Sequence, residues 1–317
     1  MRNYADEANL HVRIYAMRGR LLSRGDYARR VREQAPEFLG ISGEQEPTSF
    51  KRAVFREQIA PVIPLVEAYE RYTPLFVAFL RQYEARNAKL LLARAFGKQS
   101  LALWYDIFPF AVLHDDLLEK KLSPDDLRAL LAHTYLAHDL KDISNYRQTA
   151  IHLEVSAALN LYRAATSLSA RGQKEFQDIL LQRIAVLTAI WSLRLREHYQ
   201  WSEEKIRLYR EEFHDLFGLH ASSGMSREQR SLNDSIERLR KLGGERPPSL
   251  ADIEHYLERK YYARVSAMFH RDFHSLYCVV AYLWLLFYQV KNLFCIIDAK
   301  RFGLSAERVL DRIICDA

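Results

Sequence analysis

Apolar residues return at intervals of three and four along most of this chain, the spacing that gathers them on one face of an α-helix. The pattern is sustained in Leu101 to Leu113, Leu127 to Leu140, Ile151 to Leu168 and Phe176 to Leu195. No run alternates strictly between apolar and polar positions, as a half-buried strand would. The pattern therefore predicts an all-α fold. Helix starts are legible as well. Ser123-Pro124-Asp125-Asp126 offers a hydroxyl as N-cap, proline in the first turn and acids against the positive end of the macrodipole. Ser249 follows a loop, Leu242-Gly-Gly-Glu-Arg-Pro-Pro248, and can cap a helix beginning at Leu250. The longest apolar run, Leu276 to Tyr288, is 13 residues and is closed by Gln289 and Lys291. A bilayer-spanning helix needs about 20 residues, so no membrane crossing is expected.

One helical cassette recurs. Its first copy reads Tyr83-Glu-Ala-Arg86-Asn87 and runs on through apolar residues to Phe96-Gly97; another reads Tyr288-Gln-Val-Lys291-Asn292 and runs on to Phe302-Gly303. A weaker middle copy starts at Ala189 and is followed by Ser202-Glu-Glu-Lys-Ile206, which matches Ser305-Ala-Glu-Arg-Val309. The anchors at 87, 189 and 292 are 102 and 103 residues apart. Such a period is far longer than that of solenoid repeats and gives each unit a domain-sized core. Three similar helical domains are expected, at residues 1–112, 113–216 and 217–317. Asn87 shares a helix face with Leu80, Tyr83, Leu90 and Leu91. Tyr83, Asn87, Tyr288 and Asn292 are therefore read as structural repeat anchors, with the asparagines buried and hydrogen-bonding between helices.

Composition agrees with long helices. There are 11 glycines and 9 prolines in 317 residues, about half the usual share. Hydrophobic residues make up 49%, enough for substantial cores. The formal charge of +6 favours acidic partners. Lys and Arg are nevertheless interleaved with acids, as in Glu203-Glu-Lys-Ile-Arg-Leu-Tyr-Arg-Glu-Glu212, which suits a solvated helix face and speaks against nucleic acid as a partner. Cys278, Cys295 and Cys315 lie in apolar runs without CxxC spacing and read as buried thiols. The N-terminal residues carry no apolar signal-peptide core.

Candidate chemistry is sparse. Gly97-Lys98-Gln99-Ser100 resembles the end of a phosphate loop, but position 92 is Leu and the segment closes a helix. His270 and His274 have the i, i+4 spacing of metal ligands, without the glutamate of HExxH or a recognisable third ligand. The stronger enzyme alternative is an isoprenoid-synthase-like magnesium site at Asp115, Asp116 and Glu119, with Asn233-Asp234-Ser-Ile-Glu237 as its partner cluster. The last Asp of a DDxxD pattern is here Glu, and the second cluster has the wrong spacing. Acidic first turns of helices explain both. No catalytic residue, cofactor or metal site is assigned.

The whole chain resembles the C-type subunit of the prokaryotic V-type (A/V-type) rotary ATPase or synthase, related to the d-type subunit of the eukaryotic vacuolar enzyme. Tyr4-Ala5, Asn9-Leu-His-Val12-Arg13, Arg20-Leu21-Leu22-Ser23 and Asp26-Tyr27 are similar to that family's opening. The Tyr-x-x-Arg/Lys-Asn helix ending near Gly looks like its repeated signature, and Ile253-Glu254-x-x-Leu257-Glu-x-x-Tyr261-Tyr262 also fits. Ala189 stands where the signature has Asn, and Asp298 where the family often has Arg. The resemblance implies a funnel of three helical domains with pseudo-threefold symmetry. It implies a non-catalytic adaptor on the cytoplasmic side of the membrane, peripheral to it, seated on the proteolipid ring and receiving the central-shaft subunits.

Overall fold

The computed structural model describes residues 2–32, 47–98, 103–137, 143, 145–168, 173–216, 223–242, 247–271 and 275–316. Among them every regular element is helical and no strand occurs, as the apolar spacing predicts. The chain divides into two compact units, residues 1–168 with 289–313, and residues 169–288 with 314–317.

In the first unit, α1 (Arg2–Arg18), α2 (Arg24–Arg32), α3 (Pro47–Ile59) and α4 (Ile63–Ala68) precede a long helix, α5 (Thr73–Ala95). α6 (Pro124–Leu131) and α7 (Tyr146–Thr166) follow. Ser123 caps α6 as its sequence suggests, with its hydroxyl accepting from the Asp126 N–H while the Asp126 carboxylate accepts from the Ser123 N–H. α5 and α7 form the central pair. Leu90, Leu91, Leu92, Leu127, Leu131 and Leu153 share one buried cluster. Between the two helices Gln82 donates to the Ala157 carbonyl at 2.7 Å, and Lys89 pairs with Glu154.

The second unit holds α8 (Gln173–Glu197), α9 (Glu203–Leu216), α10 (Ser223–Leu242) and α11 (Leu250–Phe269). α8 packs against α9, α10 and α11. Ser249 forms a capping box with Asp252 at the start of α11. α12 (Leu276–Arg301) gives its residues to Tyr288 to this unit and those from Gln289 to the first, where α13 (Ala306–Arg312) packs on α2.

Two expectations about element extent need correction. The described part of the stretch Leu101 to Leu113, residues 103–113, is not a helix: residues 103–107 carry no regular secondary structure and Pro109, which has no N–H to donate, follows a cis peptide bond. The stretch Leu127 to Leu140 is an α-helix only to Leu131; a 3-10 turn, Tyr135–Ala137, follows, and residues 138–140 lie outside the described residues. α12 is 26 residues long and runs through Gln289 to Arg301; Gln289, only 6% exposed, is satisfied within the fold, accepting from the Leu22 N–H at 2.6 Å and donating to Gln58 Oε1 at 2.5 Å. By length and composition α12 could cross a bilayer, but 89% of its most apolar window is buried within the protein. Its apolarity is that of a core helix.

Three of these helices finish alike. Just beyond α5, α8 and α12 the backbone turns left-handed at Gly97 (φ 66°), Gln200 (φ 53°) and Gly303 (φ 63°). The residue after each returns a hydrogen bond to the helix: Lys98 to Ala93 and Leu304 to Ala299, at 2.8 and 2.9 Å, in Schellman-type caps, and Trp201 to Leu195, at 3.1 Å, across a turn one residue wider. Positions 97, 200 and 303 are two equal steps of 103 residues.

Candidate functional site

The anchors on α5 form a clamp. One turn of the helix, Tyr83 to Asn87, lies against a non-helical segment around Tyr105. Asn87 is fully buried, donates from Nδ2 to the Tyr105 carbonyl at 2.7 Å and accepts the Tyr105 N–H on Oδ1 at 2.7 Å. Its bonds therefore go to a non-helical segment, where the sequence suggested another helix. The reason is that a backbone outside regular structure has both groups free, whereas a helix interior has already used them. Arg86 donates to the Tyr105 hydroxyl at 3.1 Å. The Tyr105 ring meets Phe55 edge-on at 5.0 Å and lies 5.5 Å from Tyr83.

Glu84 holds the far end of the same segment. Its Oε1 accepts the N–H groups of Val112 and Leu113 at 2.5 and 2.8 Å, while Oε2 accepts the Tyr135 hydroxyl at 3.0 Å. Burial raises the carboxyl pKa above its ordinary value despite these donors. Burial, with the adjacent Glu84 charge, also drives the Tyr135 pKa well up and keeps that hydroxyl a donor.

Tyr288 and Asn292 sit one turn apart on α12, both buried. The Tyr288 hydroxyl donates to Oε2 of Glu258, the same oxygen that Arg183 Nη1 reaches at 2.8 Å. This ion pair is almost wholly out of water. The Arg183 guanidinium also lies over the rings of Tyr261 and Trp284, at 5.4 and 5.1 Å from their centroids. Cation–π contact of this kind offsets part of the cost of burying the charge. α8, α11 and α12 are thus tied at one polar point.

The remaining candidates do not converge on a reactive centre. Asp115, Asp116 and Glu119 are exposed on a short 3-10 turn, Asp115–Leu118, and Asp116 is engaged by Lys120 at 2.7 Å. Asn233, Asp234 and Glu237 lie exposed on α10 in the other unit. Among the described residues no three His, Cys, Asp or Glu side chains are grouped to hold a metal ion. The isoprenoid-synthase reading therefore has no geometric support. His274 and the Gln99-Ser100 pair lie outside the described residues; Gly97 and Lys98 close α5. Cys278 is buried, whereas Cys295 and Cys315 are only partly so. Ala189 is buried, and Asp298, its side chain 43% exposed, pairs with Lys51 at 2.5 Å.

Sequence reasoning missed Glu84, Glu258 and Arg183. For the two glutamates the signal was present in their spacing. Glu84 lies three residues before Asn87 on the apolar face, and Glu258 lies three before Tyr261 in the same way; a charged residue on a core face has to be paired.

What the side chains build is an all-helical scaffold whose buried polar groups serve to fix segments to helices. The family model for ATP synthase (C/AC39) subunits matches residues 67–312, a span that includes the α5 clamp and the Arg183–Glu258–Tyr288 cluster. The chain belongs to this family of V-type ATPase subunits. A search of the curated proteins found no match.

Proposed function

We propose that the chain is the non-catalytic central-stalk adaptor of a V-type ATPase or synthase, joining the soluble rotor shaft to the membrane proteolipid ring. The family match over residues 67–312 carries this reading. In this role the protein lies on the cytoplasmic face of the membrane, peripheral to it, and passes torque between ATP turnover and ion movement. It works as three similar helical domains around an axis. The left-handed helix ends at 97, 200 and 303 support a triplicated origin, since Gln200 adopts at the middle copy the backbone conformation that Gly97 and Gly303 adopt at the ends of the other two.

Physical reasoning favours such a part. A torque coupler has to deform little under load, and a side chain that must break two buried hydrogen bonds to move resists displacement. Asn87, Glu84 and Glu258 each make at least two such bonds. The test is affinity purification of the tagged chain from native membranes under mild detergent. Shaft and proteolipid subunits are expected to co-purify in fixed ratio; a chain recovered free of any rotary-ATPase subunit overturns the reading.

A further inference from the structure

Residues 8–32 hold seven arginines and one acid, Asp26, a net charge of +6 that is the whole excess of the chain; the other 292 residues carry 39 basic and 39 acidic side chains. These arginines run from the middle of α1 through the connecting turn to the end of α2. Arg29 is paired with Asp26 at 2.5 Å, which engages the single acid. Arg13 is exposed and lies 5.9 Å from the centroid of the Tyr69 ring, a contact that leaves its charge in place. Arg20, Arg24 and Arg32 are exposed and have neither a hydrogen-bond nor an ion-pair partner among the described residues. At about 100° per residue, Arg24, Arg29 and Arg32 fall within an arc of ~140° on α2, on the side away from the buried Tyr27. α13, which packs on α2, adds charges that cancel: Glu307 and Asp311 against Arg308 and Arg312. Glu33, Glu37, Glu44 and Glu46 come next in the sequence, outside the described residues.

We propose that this arginine face of α1 and α2 docks on an anionic phospholipid surface. The charge is complementary, and guanidinium groups bind phosphate oxygens with paired, charge-assisted hydrogen bonds. Every basic residue in the stretch is arginine. An exposed helix face presents charge without fixing where its partners must sit. That suits lipid phosphates, each of which can diffuse to an arginine, better than carboxylates held at set positions on a folded protein. Basic residues clustered beside a negatively charged leaflet each add to the attraction, and Arg20, Arg24 and Arg32 bring theirs uncompensated. The choice of a membrane over nucleic acid rests on the adaptor reading, which sets the chain beside a bilayer; the surplus charge itself does not depend on it.

The test is co-sedimentation of the purified full-length chain with protein-free vesicles at ~0.1 M salt. The full chain keeps the four glutamates that follow α2, so the binding measured is net of their charge. Vesicles of phosphatidylglycerol and phosphatidylcholine in equal parts are expected to bind it, and phosphatidylcholine alone is not. Arg20→Gln combined with Arg24→Gln is expected to weaken binding about tenfold or more, in line with about fivefold for each basic residue at the surface. Arg238→Gln combined with Arg259→Gln, an equal charge change at exposed positions of α10 and α11, is expected to change it less than twofold, and thermal melts check that each variant is folded. Failure to bind the anionic vesicles overturns the proposal, as does equal weakening by the two double variants. Tighter binding of duplex DNA with the same dependence on Arg20 and Arg24 also overturns it and assigns the face to nucleic acid. Because the vesicles contain no protein, the outcomes separate: a chain that co-purifies with rotary-ATPase subunits yet ignores the vesicles overturns this inference and leaves the adaptor reading standing.

Discussion

Asn87 binds Tyr105 through both of that residue's backbone groups, with 2.7 Å on each side, so a single side chain completes the backbone hydrogen bonding of a buried residue outside any helix. Replacing it with Leu keeps the volume and orphans the N–H and the C=O together. Each buried unsatisfied group costs about 1–3 kcal/mol, and Asn87→Leu is expected to lose about 2–5 kcal/mol in urea unfolding. Unchanged or increased stability would show that the asparagine is not a structural anchor.

Glu84 allows a finer distinction. Both backbone N–H groups go to Oε1, and only the Tyr135 hydroxyl goes to Oε2. Glu84→Gln keeps the first two bonds and lets its amide donate to the Tyr135 oxygen, while the Tyr135 hydroxyl retains the Arg81 carbonyl at 2.9 Å. Glu84→Ala loses all three. In unfolding midpoints Gln is expected to stay within about 1 kcal/mol of the parent, and Ala to fall by about 2–4 kcal/mol. Equal losses for the two variants would contradict this geometry.

The same carboxyl sets a pH dependence. Its native pKa is raised above the ordinary 4.5, so the folded state binds the proton more tightly than the unfolded one. The ionised form therefore costs stability above the native pKa, and that cost disappears as pH falls from there to 4.5. Relative to Glu84→Gln, the parent is expected to gain stability on acidification through that window. A parent that loses ground to the Gln variant there would reverse the sign.

Glu258 is the costlier residue to cut. Glu258→Ala leaves Arg183 charged and buried, for which about 3–5 kcal/mol is typical. Glu258→Gln keeps an oxygen for Arg183 or for Tyr288 but removes the charge, and is expected to lose an intermediate amount. Chemical denaturation followed by tryptophan fluorescence reads both, Trp284 being in contact with the Arg183 guanidinium. A loss below about 1 kcal/mol for Ala would mean that water reaches the pair.

Helix ends offer a test with opposite signs. Gln200 holds φ 53°, a region that costs a residue with Cβ about 1 kcal/mol or more, whereas Gly97 occupies φ 66° freely. A Cβ at Gly97 would meet no atom within 4 Å, so only backbone strain is at issue. Gln200→Gly is expected to raise stability by about 0.5–1 kcal/mol, and Gly97→Ala to lower it by about 1 kcal/mol. Melting curves with the same sign for both would refute the assignment.

How much could be read from the chain follows from where each interaction lies. Helices α7 and α8 follow their apolar stripes, and the caps at Ser123 and Ser249 are local patterns confined to four residues. The bonds that hold the clamp are not local. Tyr105 is 18 residues from Asn87 and Gln58 is 231 from Gln289, and no periodicity announces such a partner. The segment after α5 misled for a related reason: Leu103, Trp104, Tyr105 and Ile107 are all buried, giving the density of a helix face, while the backbone bonds of Tyr105 are supplied by the Asn87 side chain. At Gln289 a polar residue closes the apolar run yet is buried, because its two partners come from distant parts of the chain.

The central claim is coupling, and the most direct measurement is the ratio of ion transport to ATP hydrolysis in membrane vesicles depleted of this chain and then resupplied with it. Depletion is expected to abolish ATP-driven ion transport while hydrolysis by the soluble sector continues, and addition of the purified chain is expected to restore transport. Transport that proceeds at full ratio without the chain would contradict the account.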